Sequence, residues 1–112
     1  MAKFVGSFGA RLLLVAAILF FVAVPAHAQN DGASLFKTKC AVCHGADGKG
    51  DTSMGKVLKV LDLGSEEVQK QTDAQLTEAI ANGKGKMTGY KGKLTDDQIK
   101  QLVAFIRTLK KK

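Results

Sequence analysis

The distribution of apolar residues divides the chain into a short N-terminal segment and a longer C-terminal part. An unbroken apolar run extends from Leu12 to Val24, and a short basic segment precedes it. The run has 13 residues, whereas a membrane-spanning helix needs about 20. Ala26-His27-Ala28 follows and fits the small-residue pattern of a signal-peptide cleavage site. We therefore expect residues 1–28 to be a secretory signal peptide, with a retained membrane anchor as the alternative.

Beyond residue 28, apolar residues recur at the spacing of amphipathic helices. Thr95 and Gln98 fit a capping box, which predicts the clearest helix of the chain. Its apolar face comprises Ile99, Leu102, Val103 and Ile106, with Phe105 beside them. Thr72 and Gln75 fit a second capping box, and Gly83 is a plausible end for that helix. Its apolar residues are Leu76, Ala79 and Ile80.

Two further helices are predicted nearer the start of this part. Asp31 or its predecessor can cap a helix over Gly32–Val42, and Ser65 can cap a brief helix that ends at Val68. Residues 43–55 read as a loop broken by glycines. The apolar cluster that follows fits either a helix or a strand; it comprises Val57, Leu58, Val60, Leu61 and Leu63. Because no strand pattern of any length occurs, we predict an all-α fold of about four short helices and long loops.

The mature chain, residues 29–112, is small and poor in aromatic residues. It has 84 residues, which allows one domain. Its formal net charge falls from +7 to +5, because two basic residues leave with the signal peptide. Its aromatic residues are Phe36, Tyr90 and Phe105. Domains below roughly 70–80 residues usually need a disulfide, a metal or a cofactor for stability, so we expect a cofactor to complete the core.

The motif Cys40-Ala41-Val42-Cys43-His44 indicates what that cofactor is. In a C-x-x-C-H motif the two thiols can each add to a vinyl group of a porphyrin, and the adjacent imidazole can bind its iron. A structural zinc site needs four ligands, and the mature chain has no other Cys or His. A thioredoxin-like dithiol expects a βαβ pattern, which is missing, and a simple disulfide would not explain the histidine. The motif therefore predicts one covalently attached haem c.

From Asp31 to Lys110 the chain resembles the small bacterial class I cytochromes c. The residues that carry the resemblance are Gly32, Phe36, the haem motif, Gly45–Gly50, Ala81–Met87, Tyr90–Gly92, Leu94–Ile99 and Leu102–Ile106. The resemblance implies the cytochrome c fold, in which helices and long loops wrap one haem. It also implies that Gly32 and Phe36 on the first helix cross Phe105 on the last helix, where a glycine lets two backbones approach closely.

The same resemblance implies that Met87 is the sixth ligand of the iron, opposite His44. Met87 lies in the glycine- and lysine-rich segment Lys84–Lys93, where the family has its axial methionine. We assign Met54, ten residues after His44, to gap filling. The family often has proline after the axial methionine, and this chain has Thr88. A less rigid loop would make the bond between Met87 and iron more labile.

Ligation by His44 and Met87 predicts a periplasmic electron carrier that is not an enzyme, because both axial positions of the iron are filled. One alternative is a haem-based peroxidase or small-gas sensor in which Met87 leaves the iron. The other is a haem subunit of a periplasmic oxidoreductase complex. We expect a monomer with no stable membrane insertion once residues 1–28 are removed.

The partners expected from the charge pattern are redox proteins with acidic docking patches. Four lysines lie near Met87 in the sequence: Lys84, Lys86, Lys91 and Lys93. Such charges can steer an acidic partner towards the haem edge, although an ordinary solvated loop is the alternative for each lysine. Nucleic acid is a poor alternative, because the lysines are not interleaved with aromatic residues. Tyr90 can either bond a haem propionate or pack against its neighbours.

Overall fold

The computed structural model describes residues 18–20 and 31–112. Its described part contains six helices and no strand, and two isolated bridges join Lys84 to Met87 and Lys91 to Leu94. The helices are α1 (Gly32–Lys39), α2 (Ala41–His44), α3 (Ser53–Leu58), α4 (Glu66–Gln69), α5 (Asp73–Asn82) and α6 (Asp96–Thr108). The predicted all-α class is confirmed, but the expected number of about four helices was too low for the described residues.

The predicted helix over Gly32–Val42 was wrong in its extent. Helix α1 ends at Lys39, and Cys40 forms a turn with φ −117° and ψ −30° before α2 begins. The amides of Cys43 and His44 both donate to the carbonyl of Cys40, at 3.3 and 3.0 Å. The chain therefore turns at the first cysteine, and the second cysteine and the histidine lie on a short helix of their own.

The glycine-broken stretch 43–55 also contains more helix than the sequence indicated. It includes the end of α2 and the beginning of α3. Thr52 caps α3 by accepting a hydrogen bond from the amide of Gly55 at 2.8 Å. Helix α3 ends at Leu58, and the capping residue after it, Lys59, adopts the left-handed conformation with φ +53°. The apolar cluster whose structure was left open is therefore helical as far as Leu58 and irregular beyond it.

Both capping boxes are present. The hydroxyl oxygen of Thr72 accepts from the amide of Gln75 at 3.1 Å, and the amide of Thr72 donates to the Gln75 side chain at 2.9 Å. Thr95 and Gln98 form the same pair of bonds at the same distances. Each box satisfies amides that the first helical turn leaves unpaired. These two helices, α5 and α6, begin where the sequence predicts.

Helices α1 and α6 cross at Gly32, as the family resemblance implied. A Cβ atom at Gly32 would collide with the carbonyl oxygen of Gln101 and lie 3.1 Å from the Cβ atom of Phe105. The rings of Phe36 and Phe105 pack with their centroids 4.9 Å apart. The buried core around this crossing comprises Leu35, Phe36, Val68, Leu76, Ile80, Leu94, Ile99, Leu102, Val103 and Ile106.

The predicted signal peptide lies outside the described residues, except for Ile18, Leu19 and Phe20. Across 18–20 and 31–112, the structure contains no helix that is both long enough and apolar enough to cross a bilayer.

Candidate haem site

The first cysteine of the motif, Cys40, forms the turn between α1 and α2, and the second, Cys43, lies on α2. Both are half-buried, and neither forms a disulfide. Burial, together with the smaller effect of the nearby Cys43, raises the pKa of the Cys40 thiol to about 11. Cys40 is therefore a protonated thiol at neutral pH, and the two sulfurs are close enough to influence each other.

His44 is the last residue of α2 and is also half-buried. Its Nδ1 atom is enclosed and has no hydrogen-bond partner among the described residues. Burial lowers the pKa of the imidazole, which favours the neutral form that binds metals. The Phe36 ring lies beside it, with the two ring centroids 6.3 Å apart. The crossing of α1 and α6 therefore supports the histidine through Phe36.

Thr52 joins the motif helix to α3. Its hydroxyl donates to the carbonyl of Cys43 at 2.8 Å while accepting from the amide of Gly55. Gly55 permits this approach, because a Cβ atom there would collide with the carbonyl oxygens of Cys43 and Gly50. This role of Thr52 was not predicted, since the residue lies in a stretch that reads as a loop from the sequence.

Met87 lies in the connection between α5 and α6. Its side chain is half-buried and packs against the hydrophobic core. The amide of Met87 donates to the carbonyl of Lys84 at 3.0 Å, which closes a tight turn. Gly83 has φ +79° and lies so close to this turn that a Cβ atom would collide with the carbonyl oxygen of Met87. Met54, in contrast, lies on α3 and is 48% exposed.

Tyr90 lies between the Met87 loop and the motif. Its hydroxyl donates to the carbonyl of Lys39 at 3.0 Å. Burial raises the pKa of Tyr90, and nearby Cys40 and Cys43 raise it further. Tyr90 therefore packs against the core and bonds α1, and the other role that the sequence left open, a bond to a haem propionate, stays a prediction.

Apolar side chains are exposed on the motif helix α2, on α3 and in the segment after α3. Val42 on α2 is 72% exposed and Val57 on α3 is 70% exposed, and Leu61 is exposed as well. A porphyrin has apolar faces that such side chains can cover. Two free thiols, a neutral imidazole without a structural partner at Nδ1, and uncovered apolar side chains all fit a covalently attached haem. Cys40 and Cys43 would hold the porphyrin, and His44 would bind its iron.

The lysines of the Met87 loop are all exposed. None of Lys84, Lys86, Lys91 and Lys93 forms an ion pair with another residue in the described part of the chain. Their charges are therefore not neutralised within this part of the protein.

An all-helical domain with a C-x-x-C-H motif on a short helix defines the class of protein as a c-type cytochrome. Residues 27–106 match the family model described as cytochrome c oxidase, cbb3-type, subunit III. The chain belongs to this family and is a small class I cytochrome c. It carries haem c and transfers electrons.

The comparisons with individual proteins agree with this assignment. Cytochrome c6 of Leptolyngbya boryana is 36% identical over 75 residues, which are 67% of this chain and 85% of that protein. Cytochrome c6 of Nostoc sp. is 34% identical and covers 88% of both chains. Among solved structures, the KustC0563 c-type cytochrome superposes with a TM-score of 0.67 at 36% identity, covering 72% of this chain and 99% of that one.

A second kind of relative is much longer than this chain. The cbb3-type cytochrome c oxidase subunit FixP of Rhizobium meliloti is 34% identical over 85 residues. These residues are 74% of this chain but only 28% of FixP. The similarity to FixP therefore covers about a quarter of that protein.

Proposed function

We propose that this protein is a periplasmic one-electron carrier whose iron is bound by His44 and Met87, with the haem attached through Cys40 and Cys43. Haem c supplies an iron that alternates between the ferrous and ferric states. The observation that carries the assignment of Met87 is the contrast between the two methionines. Met87 is half-buried against the core in a tightly closed loop, whereas Met54 is exposed on α3.

The chemistry of the two ligands suits electron transfer. A neutral imidazole is a common ligand for iron in haem proteins. The thioether sulfur of methionine is soft and favours ferrous iron, so ligation by His and Met raises the reduction potential. With both axial positions filled, no substrate has to coordinate the iron. This is our reason for proposing a carrier rather than an enzyme.

The proposed partners are redox proteins that present an acidic docking patch. The four exposed lysines around Met87 support this, since they are not paired with acidic residues of the described chain. Exposed charges act chiefly on the rate of encounter and are screened by salt. We further propose that the protein acts as a monomer, with no binding of nucleic acid.

The proposed location follows from the N-terminal pattern. Residues 1–28 have the order of a cleavable signal peptide, which would leave residues 29–112 as the cytochrome domain in the periplasm. Covalent haem attachment through a C-x-x-C-H motif is compatible with an exported protein.

A second candidate is a haem-bearing subunit of an oxidoreductase complex. The observation that favours it is the similarity to FixP and the description of the matching family model. In that case the same haem would relay electrons within an assembly. Purification of the untagged protein distinguishes the two, because a carrier elutes at the size of its own chain and a subunit elutes with its partners.

The ligand assignment is tested by replacing each methionine with alanine in the haem-loaded protein. Met87→Ala should remove the weak sulfur-to-iron charge-transfer absorption of the ferric protein and open the iron to cyanide or carbon monoxide. Met54→Ala is the matched control and should do neither. If Met54→Ala loses the absorption and Met87→Ala keeps it, the proposed ligand set is wrong.

A further inference from the structure

The break between α1 and α2 leaves a backbone carbonyl that the helix does not satisfy. In an α-helix each carbonyl accepts from the amide four residues later. The carbonyl of Lys39, the last residue of α1, would accept from Cys43, but the amide of Cys43 donates to Cys40. The hydroxyl of Tyr90 replaces the Cys43 amide as the donor and bonds the carbonyl of Lys39 at 3.0 Å. A side chain from a loop 51 residues away therefore completes the end of the helix that precedes the first cysteine.

The backbone of Tyr90 is held firmly at the other end of this connection. Its amide donates to the carbonyl of Ile80 on α5 at 2.9 Å. Its carbonyl accepts from the amides of Lys93 and Leu94, both at 2.9 Å. The ring is partly buried against the core. Because the backbone is fixed, a movement of the hydroxyl relative to Lys39 requires the loop itself to move.

Tyr90 is three residues after Met87, and it is the link between the Met87 loop and the motif. Among the described residues, its hydroxyl makes the one hydrogen bond that joins segment 84–93 to residues 31–44. The backbone of the loop is otherwise anchored on α5, where the amide of Lys91 donates to Ala81 at 2.8 Å. Thr88 provides no ring to stiffen the chain after Met87. Besides its anchors on α5 and its packing against the core, the loop therefore has this one direct hydrogen bond to the region of the motif.

We propose that Tyr90 is a positioning residue for the sixth ligand: its hydrogen bond to the carbonyl of Lys39 ties the Met87 loop to the cysteine-bearing turn and keeps the methionine sulfur on the iron. The proposal rests on the proposed function, because it takes Met87 to be the ligand. It predicts that loss of one oxygen atom, in Tyr90→Phe, favours the state in which Met87 has left the iron. A net contribution typical of one hydrogen bond corresponds to about a five-fold change in an equilibrium constant.

The test measures cyanide binding to the ferric, haem-loaded protein at one neutral pH. Cyanide binds the iron only after Met87 has left, so its apparent affinity reports how firmly the loop is held. Tyr90→Phe should raise the apparent affinity about five-fold. Thr38→Val is the matched control, because it removes a hydroxyl on the same helix that donates to the backbone carbonyl of Ser34 at 3.0 Å. This control should leave cyanide affinity unchanged.

A double-mutant cycle separates positioning of Met87 from a general effect on the haem pocket. In a Met87→Ala background, the further change Tyr90→Phe should have no effect on cyanide affinity, since there is no sulfur left to position. An equal effect in both backgrounds, or no effect in the wild-type background, would overturn the proposal while leaving the ligand assignment intact. If Met87→Ala itself leaves cyanide affinity and the charge-transfer absorption unchanged, the ligand assignment fails, and the role of Tyr90 fails with it.

Discussion

The close crossing of α1 and α6 at Gly32 predicts that adding a single methyl group at this position destabilises the protein. In Gly32→Ala the new carbon would collide with the carbonyl oxygen of Gln101 and lie 2.8 Å from the carbonyl carbon. Ordinary van der Waals contacts lie at 3.4–4 Å, so the helices must separate by at least about 0.6 Å. The obstacle is the backbone of α6, which cannot rotate away as a side chain can. Such overpacking costs about 1–3 kcal/mol.

The intrinsic preference of alanine over glycine in helices, at most about 1 kcal/mol, offsets part of this cost. We expect a net loss of about 1–2 kcal/mol of unfolding free energy, measured by urea unfolding of the haem-loaded protein and followed by circular dichroism. Ser34→Ala, an exposed position on the same helix, is the control and should change the free energy by less than about 0.5 kcal/mol. A Gly32→Ala protein as stable as the wild type would show that the two helices do not meet as described.

Three further predictions follow from charge and composition. Reversing Lys84 and Lys86 to glutamate should slow electron transfer to an acidic partner at low salt, in stopped-flow measurements, and a rate that is independent of ionic strength would contradict this. Lys111, 2.7 Å from Asp62, holds the pKa of that carboxyl below its ordinary 3.8. The stabilising contribution of this ion pair is therefore present above about pH 4, and it is lost as the pH falls through the pKa of Asp62 in the folded protein. Asp62→Asn should lower the unfolding midpoint at about pH 7 but not at about pH 2. Replacing both attachment cysteines with alanine should leave the chain largely disordered by circular dichroism, and a cooperative thermal transition without haem would contradict this.

The parts of the fold that were predicted correctly depend on residues close together in the sequence. A capping box involves residues three apart, so Thr72 and Thr95 identify the starts of α5 and α6 without tertiary information. The turn at Cys40 was missed, because nothing in residues 32–42 breaks a helix locally. The turn depends on bonds to the carbonyl of Cys40 and on the hydroxyl of Tyr90, far along the chain.

The candidate site depends on the same distinction between local and long-range signals. Cys40, Cys43 and His44 form a contiguous motif that predicts the haem-binding residues from the sequence alone, and the prediction of Met87 comes from the resemblance to the family. Thr52 was not identified, since its bond to the carbonyl of Cys43 arises only once α3 has packed beside α2. Supporting residues that act across the fold carry no local signature in a single sequence.

We propose that this protein is a haem c electron carrier in which His44 and Met87 fill both axial positions of the iron. The absorption spectrum of the purified protein, in both oxidation states and with and without carbon monoxide, is the decisive measurement. Ligation by His44 and Met87 should give a six-coordinate c-type spectrum in both states, a sulfur-to-iron charge-transfer absorption in the ferric state, and no change on adding carbon monoxide to the ferrous protein. Ready binding of carbon monoxide at neutral pH would show that the sixth position is open and would favour a gas sensor or a haem enzyme.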